Sequence, residues 1–106
     1  MSKVKFLVLE GCSKCKALKN KLNYFGNSFK YYPCDGADDF CDKIESLTGV
    51  ETYPMMVVFD INNNIKEVLY FTEDYNKVGK KIQLAEGVTG FPVYSIDQMV
   101  DYITKL

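Results

Sequence analysis

Two cysteines separated by two residues, Cys12 and Cys15, constrain the fold of this chain of 106 residues more than any other feature. They follow a short apolar run at residues 3–9, which has the length and the β-branched and aromatic content of a buried strand. A stretch with apolar residues at helical spacing comes directly after them. The sequence therefore predicts that Cys12 lies at a strand-to-helix turn and Cys15 one helical turn further on.

A cysteine at the start of a helix is in a position that favours reactivity. The exposed N–H groups and the dipole of the helix stabilise a thiolate, so we expect the pKa of the Cys12 thiol to lie below that of free cysteine. A thiolate is the nucleophile that attacks a disulfide, and a second cysteine one turn away can then close a new disulfide. The spacing thus indicates redox chemistry, against the alternative of two buried and inert thiols.

The rest of the chain alternates strands and helices. The helix after Cys12 is predicted to have Ala17, Leu18, Leu22 and Phe25 on its apolar face and to stop at Gly26-Asn27. Further strands are predicted at 28–34, 55–59 and 65–71, and further helices at 37–47 and 96–104. Asp35-Gly36 indicates a turn after the second strand, and 62–64 a hairpin turn. Residues 72–93 contain three glycines and receive no firm assignment. The order β-α-β-α-β-β-α predicts an α/β protein with a mixed four-stranded sheet flanked by helices. Strands separated by a helix are expected to pair in parallel, and the hairpin strands antiparallel.

Composition narrows the chemistry further. The chain has no histidine, which excludes Cys-His catalysis and ligation of a metal by imidazole. Its net charge of −1 argues against nucleic acid or an anionic membrane as a partner. Because we find neither an apolar stretch of membrane-spanning length nor a secretory signal, we expect a cytoplasmic protein.

Three features together resemble the glutaredoxins of the thioredoxin-like superfamily. They are Cys12-Ser13-Lys14-Cys15, the segment Leu47-Thr48-Gly49-Val50-Glu51-Thr52-Tyr53-Pro54, which is similar to the family's L-T-G-x-x-T-V-P, and the order of elements over residues 3–71 with a terminal helix. The resemblance implies one glutaredoxin-like domain with a thioredoxin-like fold over residues 1–106, in which 72–93 is an insertion. It also implies a dithiol-disulfide oxidoreductase with roles in electron transport and cell redox homeostasis.

The resemblance assigns roles to particular residues. Cys12 is expected to be the nucleophile and Cys15 the resolving thiol. Pro54 is expected to follow a cis peptide bond and to face the dithiol, so that the Tyr53 backbone meets a thiol-bearing peptide in the manner of an added strand. The residues expected to contact substrate or glutathione are Lys14, Thr52, Tyr53, Pro54, Ser95 and Asp97.

The same resemblance suggests partners. Glutathione is expected as co-substrate, and disulfide-containing proteins such as ribonucleotide reductase as substrates. No tightly bound cofactor or metal is expected, and the protein is expected to be a monomer.

The chain departs from the family at four places. Lys14 stands where dithiol glutaredoxins have tyrosine, Glu10 lies where they carry a lysine that pairs with a glutathione carboxylate, Tyr94-Ser95 replaces a glycine pair, and Cys41 falls at a position that is often glutamine. These differences argue against an ordinary affinity for glutathione.

Several alternatives stay open from the sequence. Cys34 and Cys41 are interpreted first as small core residues, and otherwise as a pair or as a regulatory thiol. With Cys12 and Cys15 they offer a zinc or iron-sulfur site, which would make the protein a metal or cluster carrier, and a cluster bridged between two chains is a further option. Tyr53 is either a substrate platform or an exposed aromatic residue. Asp97 either binds a glutathione amine or stabilises a helix N-terminus.

Overall fold

Six strands and three helices form the described part of the protein, residues 3–24 and 29–105 of a computed structural model. In chain order they are β1 Lys3–Val8, α1 Ser13–Asn23, β2 Lys30–Pro33, α2 Asp39–Thr48, β3 Met55–Phe59, β4 Ile65–Phe71, β5 Ile82–Ala85, β6 Val88–Val93 and α3 Ile96–Thr104. The predicted bounds of β3, β4 and α3 are confirmed. The predictions for Phe25, Gly26-Asn27 and Ser28 lie outside the described residues.

The strands form one mixed sheet in the order β2-β1-β3-β4-β6-β5. β1 pairs in parallel with β2, as β4 does with β6, and the other neighbours are antiparallel. The predicted α/β class, a mixed sheet flanked by helices as in thioredoxin-like proteins, is confirmed. The prediction of four strands is wrong, because residues 72–93 add two more.

The pairing of β3 corrects a second expectation. Although α2 separates β2 from β3, β3 does not lie beside β2. It pairs with β1 and runs antiparallel to it, so that Met55 lies opposite Leu7. The start of β3 therefore meets the end of β1, and the residues just before β3 reach the loop that carries Cys12.

β6 accommodates a glycine and a proline that hid it from sequence analysis. A Cβ on Gly90 would approach the side chain of Leu84 on β5 to 2.9 Å, so the close strand contact requires glycine. The Pro92 carbonyl accepts a hydrogen bond at 3.0 Å from the N–H of Gly79, which precedes β5 in the chain. In a strand, the N–H and C=O of one residue point to the same side, and the Pro92 carbonyl points away from β4. The lack of an N–H at Pro92 therefore removes no hydrogen bond to β4.

The core lies between the sheet and its helices. All five residues of β3 are buried, and Leu18 and Leu22 of α1 and Met99 of α3 are fully buried. Glu67 of β4 is the one buried charged side chain in the segments 3–24 and 29–105. The Tyr102 hydroxyl donates a hydrogen bond to the Oε2 of Glu67, whereas the Oε1 of Glu67 has no hydrogen-bond partner within the described segments. In the described segments, every helix is too short or too polar to cross a membrane.

Candidate active site

Cys12 is the N-cap residue of α1. Its backbone is extended, and its Sγ accepts a hydrogen bond from the Cys15 N–H at 3.1 Å. Cys12 is half-buried and Cys15 is 2% exposed, so the first sulfur is the more accessible of the two. The two form a disulfide with their Cα atoms 5.2 Å apart. The predicted positions are confirmed, with Cys12 at the strand-to-helix turn and Cys15 in the first turn of the helix.

The Tyr53–Pro54 segment lies beside this disulfide. Its peptide bond is cis, as the resemblance implied. The carbonyl oxygen of Tyr53 lies 3.7 Å from the Sγ of Cys12. The main-chain carbonyl of Tyr53, just before β3, thus faces the Cys12 sulfur, which is the more accessible of the two.

The Tyr53 side chain corrects the sequence interpretation. It is only 6% exposed, and its hydroxyl donates a hydrogen bond to the Glu45 carboxylate. Burial, then this hydrogen bond and the charge of Glu45, raise the pKa of Tyr53 above its usual range. Tyr53 is therefore neither an exposed aromatic residue nor a platform for substrate. It packs into the core while its backbone faces Cys12.

The loop before Cys12 is held by a residue that sequence analysis had assigned only to a turn. The Glu10 N–H donates to both carboxylate oxygens of Asp35, at 3.1 and 3.2 Å. The Cys34 N–H continues the pairing with β1 by donating to the Val8 carbonyl at 2.8 Å. The segment after β2 thus fixes the backbone two residues before Cys12. The Asp35-Gly36 turn signal gave its position but not this contact.

Cys34 and Cys41 form a second disulfide, with their Cα atoms 5.8 Å apart. Both are buried, at 7% and 2% exposure. Both belong to the core, as first interpreted, and the alternative that they pair with one another is confirmed as well. In residues 3–24 and 29–105 there is no cluster of three or more cysteine, histidine or acidic side chains that could hold a metal ion, so the four-cysteine site is not formed.

Lys14 and Thr52 line a cleft next to the Cys12–Cys15 disulfide. The Nζ of Lys14 lies 4.5 Å from the centre of the Phe71 ring, a cation–π contact at the end of β4. The cleft has a volume of about 270 Å³, and its remaining lining residues are Thr72, Glu73, Tyr75 and Tyr94. Phe71 also lines the cleft, and neither it nor these four residues were predicted to belong to the site. Tyr94 was noted only as a departure from the family pattern.

Ser95 and Asp97 lie at the start of α3. Ser95 is the N-cap, and its hydroxyl accepts a hydrogen bond from the Gln98 N–H at 3.4 Å. Asp97 forms an ion pair with Lys21 in the last turn of α1. Both side chains therefore have partners within the fold, and their role in binding glutathione stays a prediction.

A mixed sheet flanked by helices, with a cysteine pair at the start of the first helix beside a cis-proline, defines the class of thioredoxin-like redox proteins. The family model described as Glutaredoxin matches residues 2–64, more than half of the chain. The chain belongs to the glutaredoxin family, whose general activity is thiol-disulfide oxidoreduction. Comparison with curated proteins and with solved structures gives no significant match.

Proposed function

We propose that this protein is a dithiol-disulfide oxidoreductase in which Cys12 attacks the substrate disulfide and Cys15 resolves the intermediate. The observation that supports this assignment is the hydrogen bond from the Cys15 N–H to the Cys12 sulfur at the start of α1. A donor at that position stabilises negative charge on sulfur in the reduced protein. Greater exposure of Cys12 makes it the sulfur that a substrate reaches first.

Electrons move to the substrate in two exchange steps. The Cys12 thiolate attacks one substrate sulfur, the substrate S–S bond breaks, and the departing sulfur leaves as a thiolate that takes a proton from water. Cys15, deprotonated, then attacks the Cys12 sulfur of the mixed disulfide. The second substrate sulfur leaves as a thiol, and the Cys12–Cys15 disulfide forms. Two thiols of a reductant such as glutathione restore the dithiol and are themselves oxidised to a disulfide.

The Tyr53 backbone has a positioning role in this proposal. Its carbonyl lies beside Cys12, where an extended peptide with a reactive cysteine would pair with it as a short added strand. Pro54 holds this backbone in place next to the disulfide. Binding through the main chain accepts many substrate sequences, so we expect disulfide-containing proteins as well as glutathione mixed disulfides to react.

Glutathione binding rests on fewer contacts. Lys14 and Thr52 line the cleft beside the disulfide, whereas Ser95 and Asp97 already have partners in the fold. The exposed Glu10 repels the glutathione carboxylates, although solvent screens that effect. We therefore propose glutathione as a weakly held co-substrate of a monomer that acts in the reducing cytoplasm.

Two cysteine variants test the proposal. Cys12→Ser should abolish reduction of both insulin and a glutathione mixed disulfide, because no nucleophile remains. Cys15→Ser should accumulate a mixed disulfide that mass spectrometry detects as a mass increase. The matched control is Cys34→Ser/Cys41→Ser, which removes a disulfide outside the site and should keep both activities. Equal and partial losses in Cys12→Ser and Cys15→Ser would refute the assignment of roles.

A further inference from the structure

Two exposed tyrosines form one wall of the cleft beside the disulfide. Tyr75 is 76% exposed and Tyr94 54% exposed, and their ring centres lie 5.6 Å apart. Both residues lie beyond residue 64, where the match to the glutaredoxin family model ends. The two neighbouring rings form an aromatic patch on the surface, and tyrosine is common at the centres of binding interfaces.

The backbone under both rings is held by hydrogen bonds. The segment around Tyr75 contains bonds from the Asp74 N–H to the Thr72 hydroxyl at 3.1 Å and from the Asn76 N–H to the Asp74 carboxylate at 3.0 Å. The Tyr94 N–H donates to the Gln98 side-chain oxygen at 2.7 Å. The ring pair is thus placed before any ligand arrives, which lowers the entropy cost of binding.

A further bond joins the two segments that carry the rings. The Thr72 N–H donates to the Val93 carbonyl at 2.9 Å, so the end of β4 and the end of β6 are fixed to one another. The relative position of Tyr75 and Tyr94 therefore depends on the sheet rather than on the rings alone.

The charges at the cleft favour an uncharged ligand group. Lys14 and Glu73 carry opposite charges on its rim, and the Lys14 ammonium already lies over the Phe71 ring. The cleft therefore presents aromatic surface without a net charge. An apolar or aromatic side chain fits this chemistry better than an anion does.

Two residues of the cleft lining connect it to the redox site along the chain, although Cys12 and Cys15 themselves line a different cleft. Lys14 lies between Cys12 and Cys15, and Thr52 directly precedes Tyr53, whose carbonyl faces the Cys12 sulfur. A peptide that extends along this backbone with its cysteine at Cys12 carries neighbouring side chains to the cleft, because successive residues of a strand are only about 3.3 Å apart.

We propose that the cleft lined by Tyr75 and Tyr94 binds an aromatic or large apolar side chain that flanks the reactive cysteine of a protein substrate. This inference rests on the proposed function and adds a substrate class to it. Small disulfides such as glutathione have no such side chain, so the tyrosine pair selects proteins over them. Tyr75 and Tyr94 are specificity-determining residues that take no part in the exchange of sulfur.

Kinetics with designed peptides test this inference. The parent substrate is a disulfide-linked dimer of a short glycine-rich peptide with one cysteine. In the other substrates, phenylalanine replaces the glycine that lies one or two positions before or after the cysteine. Wild-type protein should reduce the best phenylalanine peptide with a kcat/KM about three- to tenfold above the glycine parent, the range that aromatic contacts supply. In Tyr75→Ala/Tyr94→Ala this preference should be lost, so that the ratio of kcat/KM between the phenylalanine peptide and the glycine parent falls to about one.

Two control variants separate the rings from general effects. Tyr75→Phe/Tyr94→Phe keeps both rings and should keep the preference. Tyr24→Ala removes a tyrosine that is 95% exposed at the other end of α1 and should behave as wild type. The inference is overturned if wild-type protein reduces the peptides but prefers none that contains phenylalanine, or if the double alanine variant retains the preference.

A binding measurement keeps the inference separate from the proposed function. If wild-type protein reduces none of the peptides, the proposed function fails. An NMR titration of the oxidised protein then decides whether the cleft binds the phenylalanine side chain. The ligand is the phenylalanine peptide with serine in place of cysteine. Chemical-shift changes at Tyr75 and Tyr94 that the glycine peptide does not cause would support binding in the cleft. Absence of such changes would overturn the inference.

Discussion

At the scale of single residues, the reactive sulfur is also a helix cap. Asp38 and Ser95 cap α2 and α3 with side-chain oxygens, and Cys12 does the same for α1 with its Sγ. A capping atom accepts a hydrogen bond from the first turn and faces the positive end of the helix dipole. In α1 the atom that receives this stabilisation is the one that the proposed reaction uses.

The Asp38 cap should make stability depend on pH in acid. The N–H of Cys41 and then the hydroxyl of Tyr32 donate to its carboxylate and lower the pKa of Asp38. Because the folded pKa lies below the unfolded value, the charge stabilises the fold above the unfolded pKa of about 3.9. That contribution is lost as the pH falls through the folded pKa.

Asp38→Asn tests this dependence, since asparagine also caps helices but does not titrate. The loss in urea midpoint between about pH 6 and about pH 2.5 should be smaller in Asp38→Asn than in wild type. Asp101→Asn, which changes an exposed carboxylate on α3, serves as control and should show the wild-type loss. A loss in Asp38→Asn as large as that of wild type would contradict the role given to this carboxylate.

Some residues of the site were predictable from the sequence, because neighbouring residues in the chain determine their position. Cys12 and Cys15 are placed by a strand, a turn and a helix within a dozen residues. The hydrogen bond from the Glu10 N–H to Asp35 joins residues 25 positions apart, and no local sequence pattern predicts it. The burial of Tyr53 also depends on a partner, Glu45, that lies on the face of α2 turned towards it.

At the scale of elements, antiparallel pairing of β3 with β1 assembles the site. It brings the turn before β3 to the end of β1, beside the start of α1. β3 and β4 were predictable to the residue because an apolar run and an asparagine turn delimit them. β5 and β6 were missed because glycines and a proline weaken their strand pattern, and their stability comes from pairing with β4 and with each other.

The Cys34–Cys41 disulfide connects the end of β2 to the first turn of α2, and its removal should destabilise the fold. It closes a loop with a sequence separation of 7 residues, for which loop-closure entropy suggests about 2–3 kcal/mol. Urea unfolding of oxidised Cys34→Ala/Cys41→Ala should show a loss of this size relative to oxidised wild type. Disulfide reduction by the folded variant should persist, because Cys12 and Cys15 are intact.

Reduction of the disulfides provides the comparison for this prediction. When wild type and variant are both unfolded in the presence of dithiothreitol, most of the difference in unfolding free energy should vanish. Equal stability of the two oxidised proteins would show that the loop between β2 and α2 is fixed without the disulfide.

At the scale of the whole molecule, the candidate site combines a centre that lies within the family match with a cleft wall that lies beyond it. The centre consists of Cys12, Cys15 and the Tyr53-Pro54 backbone, all within the part matched by the family model. The wall consists of Tyr75, which follows β4, and Tyr94, which lies between β6 and α3. The general chemistry was therefore predictable from the sequence. The wall was not, because its residues are far apart in the chain and follow no motif.

The most direct test of the central claim is the rate at which the reduced protein is alkylated as a function of pH. Reaction with iodoacetamide, resolved by mass spectrometry of the peptides that contain Cys12 and Cys15, reports each thiolate separately. The start of α1 should shift the midpoint for Cys12 at least one pH unit below that of free cysteine in the same buffer, and buried Cys15 should react more slowly. Coincidence of the Cys12 and free-cysteine curves would contradict activation of this sulfur by the helix.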